Sequence, residues 1–241
     1  PEGGYFHAMH SHDWGDFHYR ITGKNEKGEL QLEGGWQNNR PMGIHPENRM
    51  VENIFEELDA PGEWYYDKQE GWLYYYPLSD ENINELVFET PQLKNLIEIA
   101  GTSSHPVKNI TIEGIELTQT IRTFMEHYEP LLRSDWTIYR GGAVIFRGTE
   151  KCTLRDCYIH HVGGNGVFFD KYNRNSAVTG SYLTSIGASA ICFVGDVAGV
   201  RSPSFRYGEF VPLDKMDTAK GSQNDNHPAY CEVYDNLICT I

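Results

Sequence analysis

A repeat of 24 residues in the second half of the chain is the feature that most constrains its fold. Residues 151–169 align with residues 175–193 at a constant shift of 24, and partial copies begin at Asn109 and at Tyr230. Repeats of about 20 to 50 residues indicate stacked architectures, in which each repeat buries its apolar face on its neighbours. The chain is therefore expected to contain a stack of similar turns.

Each copy of the repeat reads as three short strands with alternating apolar residues, and no copy has room for a helix. This pattern predicts an all-β fold with a right-handed parallel β-helix, or solenoid, over residues 106–241. Each strand would then lie over its copy at a spacing of about 4.8 Å. Residues 1–105 are predicted to form an irregular, aromatic, β-rich N-terminal region that is inserted in the solenoid or packed on it. The abrupt beginning and end of the sequence suggest a fragment of a longer protein.

The repeat spacing is broken twice. Ile112 and Leu154 are 42 residues apart, and Val178 and Val233 are 55 apart, so one repeat of 24 leaves insertions of 18 and 31 residues. These insertions lie near residues 119–142 and 196–228. Insertions in solenoids tend to gather on the binding face, and loops commonly carry function. The two insertions are therefore the first places to look for chemistry.

The N-terminal region carries two aromatic runs, residues 63–67 and 71–76, on either side of a short polar connection. This arrangement predicts an antiparallel hairpin, in which aromatic cross-strand pairs add stability. The same rings could instead stack on the C–H faces of sugars, and both interpretations remain open. Residues 51–58 have apolar positions at helical spacing and predict a short helix that ends before Pro61.

Composition excludes several classes of function. A formal net charge of −14 disfavours nucleic acids and anionic membranes as partners. No run approaches the roughly 20 apolar residues of a membrane span, so membrane insertion is not expected. The five cysteines form no CxxC pair or zinc spacing, and most are expected to pack as small buried residues. No nucleotide-binding motif is present, so nucleotide-dependent chemistry is not expected. The sequence predicts no cofactor and no metal ion.

Two carboxylates follow equivalent strands of adjacent repeats. Asp170 and Asp196 are 26 residues apart, which places their side chains roughly 5–8 Å from each other if the repeats stack. Glycoside hydrolysis requires two carboxyl groups about 5–9.5 Å apart. Glu126, Glu129 and Asp135 lie on the first insertion and could supply a partner. Each of these residues could equally be a loop cap or a solvated charge.

Histidines cluster near the start of the chain with acidic and aromatic residues. We predict that His12, Asp13 and Trp14 bind substrate, with a structural role and a metal site as the alternatives, because the histidine spacing matches no strong motif. The other residues predicted to contact substrate lie in the insertions and near the corners of the repeats: Arg133, Asp135, Trp136, His161, Asn165, Arg174, Arg201 and His227. An arginine among them could bind a uronate carboxylate or act as the base of a polysaccharide lyase.

Several segments carry a family resemblance. Residues 53–67, 72–77, 163–168, 172–174 and 193–196 resemble bacterial β-helix carbohydrate-active enzymes, most closely glycoside hydrolase family 141, which contains α-L-fucosidase and xylanase activities. The resemblance implies an acidic pair split between the loop before one repeat and the strand end after it. The positions that fit are Glu129 and Asp170, with Asp196 as a third candidate. It also implies a secreted, periplasmic or cell-surface protein.

The sequence therefore predicts a glycoside hydrolase that acts on a plant-type or related polysaccharide or oligosaccharide through two carboxylates. A polysaccharide lyase with Ca²⁺ and a non-catalytic carbohydrate-binding β-helix remain the alternatives. The predicted partner is a carbohydrate, and the sequence does not indicate an oligomeric state.

Overall fold

The structure is a computed structural model that describes residues 2–40, 42–130 and 137–240. These residues form two compact units. The first contains residues 2–40 and 42–89 with Thr137, and the second contains residues 90–130 and 138–240. The division lies earlier in the chain than residue 105, because residues 97–100 pair with a strand of the repeat region.

The first unit is built on an antiparallel sheet with the strand order β3-β2-β1-β4. Its strands are β1 (Tyr5–His10), β2 (Asp16–Lys24), β3 (Leu30–Gly34) and β4 (Ile44–Glu52). Alternate residues of β1 are buried, as expected for a strand with one face toward a core. Phe6, Ala8 and Ile21 form that small core.

The predicted aromatic hairpin is confirmed. β5 (Trp64–Asp67) and β6 (Trp72–Tyr75) pair antiparallel, with Trp64 opposite Tyr75 and Tyr65 opposite Tyr74. Phe55 packs edge-on against both Tyr65 and Tyr74, with ring centroids 5.3 Å from each.

The predicted helix over residues 51–58 is wrong. Val51 belongs to β4, where it pairs with Phe6, and only Phe55–Glu57 forms a single 3₁₀ turn. Between them Asn53 has a left-handed backbone with φ of 54°, which a right-handed helix cannot accommodate. Strand pairing therefore overrides the apolar spacing of this segment.

The second unit consists mainly of parallel sheets. In chain order its strands are β7 (Ile97–Ala100), β8 (Val107–Lys108), β9 (Thr111–Glu113), β10 (Glu116–Thr118), β11 (Glu129–Pro130), β12 (Thr137–Ile138), β13 (Val144–Glu150), β14 (Thr153–Arg155), β15 (Tyr158–Val162), β16 (Val167–Arg174), β17 (Ala177–Thr179), β18 (Tyr182–Ile186), β19 (Ile191–Val194), β20 (Pro228–Ala229), β21 (Glu232–Tyr234) and β22 (Leu237–Cys239). Three parallel sheets have the orders β7-β13-β16-β19, β9-β14-β17-β21 and β10-β15-β18-β22. Each sheet takes one strand from each successive repeat.

The pairing confirms the 24-residue register. Leu154 on β14 lies between Ile112 on β9 and Val178 on β17, and Val178 in turn pairs with Val233. The two longer spacings, 42 and 55 residues, are therefore one repeat plus an insertion, as predicted. The fold is all-β: among the described residues the helical segments are four 3₁₀ turns, Phe55–Glu57, Ile83–Glu85, Val197–Gly199 and Leu213–Lys215.

Three corners of each repeat carry a residue with a left-handed backbone. The positions recur in register: Asn109, Lys151, Asn175 and Tyr230 at one corner; Gly114, Asp156, Gly180 and Asp235 at the next; Gln119, His161, Ser185 and Thr240 at the third. The amide of Lys151 donates to the carbonyl of Arg174, and that of Asp156 donates to Thr179. Hydrogen bonding between repeats therefore continues through the bends.

The core of the second unit is a set of columns of like side chains. Phe146, Phe169 and Phe193 stack nearly parallel, with centroids 4.8 Å and 4.5 Å apart, and the first two are fully buried. Cys152, Cys157 and Cys192 are buried free thiols, in line with the expected role as small buried residues.

We expect Phe169→Ala to lower the free energy of unfolding by about 3–5 kcal/mol, because it removes the middle ring of a buried column and leaves a cavity. Urea unfolding followed by circular dichroism measures this change. The matched control is Phe210→Ala, since Phe210 is 86% exposed. Equal losses in the two variants would contradict the assigned core.

Candidate carboxylate site

Asp170 lies on β16 and carries a buried negative charge. The preceding residues of β16 are packed in the core, and Asp170 itself is only 1% exposed. Its Oδ1 accepts a hydrogen bond of 2.5 Å from Nη1 of Arg140, and its Oδ2 accepts one of 2.5 Å from Nε of Arg147. A buried carboxylate is tolerated only with such partners. The two arginines therefore compensate the buried carboxylate and fix its orientation.

Arg140 links Asp170 to Glu129. Its Nε and Nη2 donate to the two carboxylate oxygens of Glu129, over 3.0 Å and 2.7 Å, which is the bidentate geometry of strong arginine–carboxylate pairs. Nη2 also donates to the carbonyl oxygen of Gly195 over 2.9 Å. Oxygens bonded to one planar guanidinium lie within about 8 Å of each other, so the two carboxyl groups are neighbours.

The electrostatics of Arg140 follow from these contacts. Burial works to lower its pKa, but the hydrogen bonds to Glu129 and Asp170 outweigh burial and raise the pKa above its usual range. Arg140 therefore stays charged. Arg147 extends the cluster by a 3.2 Å ion pair with Glu98 on β7. We call Glu98, Glu129, Arg140, Arg147 and Asp170 the carboxylate–arginine cluster.

Asp196, the third predicted carboxylate, caps the 3₁₀ turn Val197–Gly199. Its Oδ1 accepts a hydrogen bond from the amide of Ala198, and its Oδ2 accepts one from the Asn226 side chain. The Ala198 amide and then nearby Lys171 hold the pKa of Asp196 below its usual value. It directly follows Gly195, whose carbonyl binds Arg140, so it lies beside the cluster while its own oxygens stabilise the backbone.

Two arginines predicted to bind substrate, Arg174 and Arg201, make structural contacts with the second insertion. Arg174 donates to the carbonyl oxygens of Asp225 and His227, and its guanidinium lies 4.3 Å from the ring centroid of Tyr172. Arg201 donates to the carbonyl oxygen of Gly221 and, over 2.6 Å, to the carboxylate of Asp217. The geometry gives both guanidinium groups a structural task.

Asn165 also has a structural position rather than a place at a surface. It is buried, its Nδ2 donates to the carbonyls of Tyr139 and Gly141, and its Oδ1 accepts from the amide of Ser189. Its amide therefore ties together three consecutive repeats. The backbone already uses both ends of the amide, and the contact of Asn165 with substrate stays a prediction.

The two predicted histidines of the repeat region lie at corners. His161 is an exposed residue with φ of 48°, and its Nδ1 lies 2.7 Å from Nδ1 of His160. His227 is half-buried in the second insertion, where its Nδ1 is buried without a hydrogen-bond partner among the described residues. Neither histidine is hydrogen-bonded to the carboxylates of the cluster among the described residues, and their contacts with substrate stay predictions.

The predicted residues of the first unit lie at the turn between β1 and β2. His12, Asp13 and Trp14 are exposed there, and the Arg40 guanidinium lies 4.2 Å from the ring centroid of Trp14. Asp13 accepts a hydrogen bond from Asn48. Within residues 2–40, 42–130 and 137–240, no group of three or more His, Cys, Asp or Glu side chains is placed to hold a metal ion. Arg133, Asp135 and Trp136 lie outside the described residues.

Arg140 and Arg147 are the members of the site that sequence reasoning missed. A signal for Arg147 existed, since residues 144–146 have the same apolar character as residues 167–169, one repeat later. Their strands β13 and β16 pair with Arg147 directly beside Asp170. Arg140 had no comparable signal, because it precedes the strand and reaches Asp170 only through the fold.

Comparison with known proteins identifies a similar fold. One solved structure, named "Glycoside hydrolase", matches 75% of this chain with a TM-score of 0.61 and 19% sequence identity. This chain spans 37% of the length of that protein. No protein-family model matches the chain, and no curated protein matches it. Within the described residues, no helix is long and apolar enough to cross a membrane.

We expect Arg140→Gln to lower the free energy of unfolding by about 3 kcal/mol, because it removes one of the two cations that compensate the buried carboxylate of Asp170. Urea unfolding at pH 7 measures the loss. The control is Arg155→Gln, which breaks the exposed pair of Arg155 with Glu113 and should leave the free energy of unfolding nearly unchanged. Similar losses in the two variants would show that Asp170 does not depend on Arg140.

Asp196→Ala should cost about 1 kcal/mol at pH 7, because it removes the cap of a turn. The folded-state pKa of Asp196 is lowered, so its stabilisation is present above the unfolded pKa of about 3.9 and is lost as the pH falls through the folded value. The difference between wild type and variant should therefore shrink below about pH 4. Urea unfolding between pH 7 and pH 2.5 measures it, with exposed Asp214→Ala as the control. A difference that is constant with pH would contradict this role.

Proposed function

We propose that this chain is part of a right-handed parallel β-helix glycoside hydrolase that cleaves a plant-type or related polysaccharide or oligosaccharide. The observation that carries the proposal is the pair of neighbouring carboxylates, Glu129 and Asp170, joined by Arg140. The three parallel sheets and the fold likeness to a protein named as a glycoside hydrolase support it. Asp196 is kept as a third candidate for the catalytic pair.

Asp170 fits the role of the carboxylate that attacks the anomeric carbon or activates water. Its charge is maintained by Arg140 and Arg147 in a buried position, so the anion is oriented and shielded from solvent. A role as proton donor suits it less, since both of its oxygens accept hydrogen bonds from guanidinium groups.

Glu129 fits the role of general acid and base, with one condition. A general acid must reach the leaving oxygen, whereas the bidentate bond to Arg140 occupies both carboxylate oxygens of Glu129. Glu129 is 40% exposed, and Arg140 stays anchored by Asp170 and by the Gly195 carbonyl. We therefore expect substrate binding to displace the Glu129 side chain from Arg140, which frees its carboxyl group to reach the leaving oxygen.

A polysaccharide lyase is the less favoured alternative. A lyase of the kind considered from sequence would use an arginine as base, but Arg174 and Arg201 are engaged by backbone carbonyls of the second insertion. The arginines of the cluster are in turn engaged by carboxylates.

The proposal includes no metal ion, and it includes a secreted, periplasmic or cell-surface location.

A screen of plant and algal polysaccharides with mass analysis of the products tests the activity. Hydrolysis adds the mass of water at each cleavage. A lyase leaves an unsaturated uronate, which is lighter than the hydrolysis product by the mass of one water. Unsaturated products, or no products from any substrate, would overturn the proposal.

We expect Asp170→Asn and Glu129→Gln each to lower the turnover rate on a cleaved substrate by about 10²–10⁴-fold, because each removes a group that transfers a proton or attacks carbon. Glu113→Gln is the matched control, since Glu113 is a surface carboxylate paired with Arg155 in the same unit. Circular dichroism and thermal unfolding establish that the variants are folded. Near-normal turnover in both site variants would exclude this catalytic pair.

A further inference from the structure

A cleft lies within the first unit, and none of the residues proposed to be catalytic lines it. It has a volume of about 440 Å³ and runs between strand β2 and the aromatic hairpin. Its lining includes Arg20 and Thr22 on β2, Asn53, and Tyr66, Lys68 and Gln69 of the hairpin. A neighbouring cleft of about 300 Å³ shares Asn53, Tyr65 and Asp67 with it, and we call the two clefts together the groove.

The walls of this groove are held in place by specific contacts. The Asn53 side chain donates to the carbonyl of Tyr66 and accepts from its amide, which attaches the hairpin to the end of β4. Lys68 Nζ lies 2.7 Å from the hydroxyl of Tyr5 on β1. The cleft is therefore largely pre-formed, which lowers the entropic cost of binding.

The chemistry of the lining is mixed. Tyr65 and Tyr66 present aromatic surface, while the Gln69 side chain makes no hydrogen bond to the described residues and can donate and accept. Burial, with Asp67 and Glu56 nearby, raises the pKa of Tyr65, which therefore remains a neutral phenol. Aromatic faces beside planar hydrogen-bonding groups suit a ligand that has both C–H faces and hydroxyl groups.

Charge decides the class of that ligand. The larger cleft carries Arg20 and Lys68 against Glu2 and Asp67, so its formal charges balance, and the neighbouring cleft adds Glu56. Arg20 is in addition paired with Glu33. An anionic chain would be repelled by the uncompensated carboxylates along this path, whereas a neutral chain would not be repelled.

We infer that the groove between β2 and the hairpin is a binding site for a neutral sugar chain, distinct from the carboxylate–arginine cluster. The site goes beyond the proposed hydrolysis and does not depend on it. Binding here would retain a polysaccharide on the protein whether or not the chain cleaves it.

The test measures binding of xylohexaose, cellohexaose, mannohexaose and hexagalacturonate by isothermal titration calorimetry on the whole chain. Glu129→Gln serves as the background, so that cleavage does not consume the ligand. At least one neutral hexasaccharide should bind, and more tightly than hexagalacturonate. No binding by any neutral hexasaccharide, or preference for hexagalacturonate, would overturn the inference, and neither result depends on turnover.

Within that background, Tyr66→Ala should weaken binding of the neutral hexasaccharide about tenfold, because truncating a central aromatic contact removes most of its local binding energy. The control is Tyr76→Ala: Tyr76 is 43% exposed and Tyr66 is 41% exposed, but Tyr76 does not line the groove. Gln69→Ala is the second test. The Gln69 side chain makes no hydrogen bond to the described residues, so its loss should leave the fold intact. Equal weakening by Tyr66→Ala and Tyr76→Ala, or unchanged binding in both Tyr66→Ala and Gln69→Ala, would refute the site.

Discussion

The second unit depends on the repeated left-handed bend at its three corners. This conformation costs a non-glycine residue roughly 1–2 kcal/mol. Lys151 and Tyr230 nevertheless adopt it at equivalent positions of their repeats. Stacking offsets it, because the bent amides still bond to the neighbouring repeat and the strands between the corners bury columns of apolar side chains. The corners recur at equivalent positions even where an insertion lengthens a repeat, so the left-handed bend and the strand register occur together.

The carboxylate–arginine cluster is a consequence of that register. β13 and β16 pair so that Arg147 lies directly beside Asp170, and the strand end of β19 supplies the Gly195 carbonyl that anchors Arg140. The first insertion then needs to bring only Glu129 and Arg140 to a position that the stack has already defined. A rigid sheet edge with a loop laid over it is a common way to hold catalytic groups, since the scaffold orients them and the loop can vary.

The same arginines that make Asp170 tolerable also limit what it can do. A buried carboxylate between two guanidinium groups is an oriented anion, suited to attack or to activation of water. Glu129 shares one of those arginines yet remains partly exposed, so its side chain has room to move when substrate binds. The different exposure of two carboxylates on one guanidinium thus separates their proposed roles.

The sequence by itself determined the all-β class, the 24-residue register, both insertions and the aromatic hairpin, because alternation of apolar residues and spacing between repeats are written directly along the chain. It pointed to Asp170 by its place after a repeat strand and to Glu129 among three acidic residues of the first insertion, and only a resemblance paired the two. It did not indicate the backbone partners that the structure gives Asn165, Arg174 and Arg201. Tertiary structure alone decided that Arg140 joins the two carboxylates and that residues 51–58 are strand and turn. Those outcomes depend on which groups meet across loops and on strand pairing that overrides local spacing, and neither is encoded in a periodic pattern.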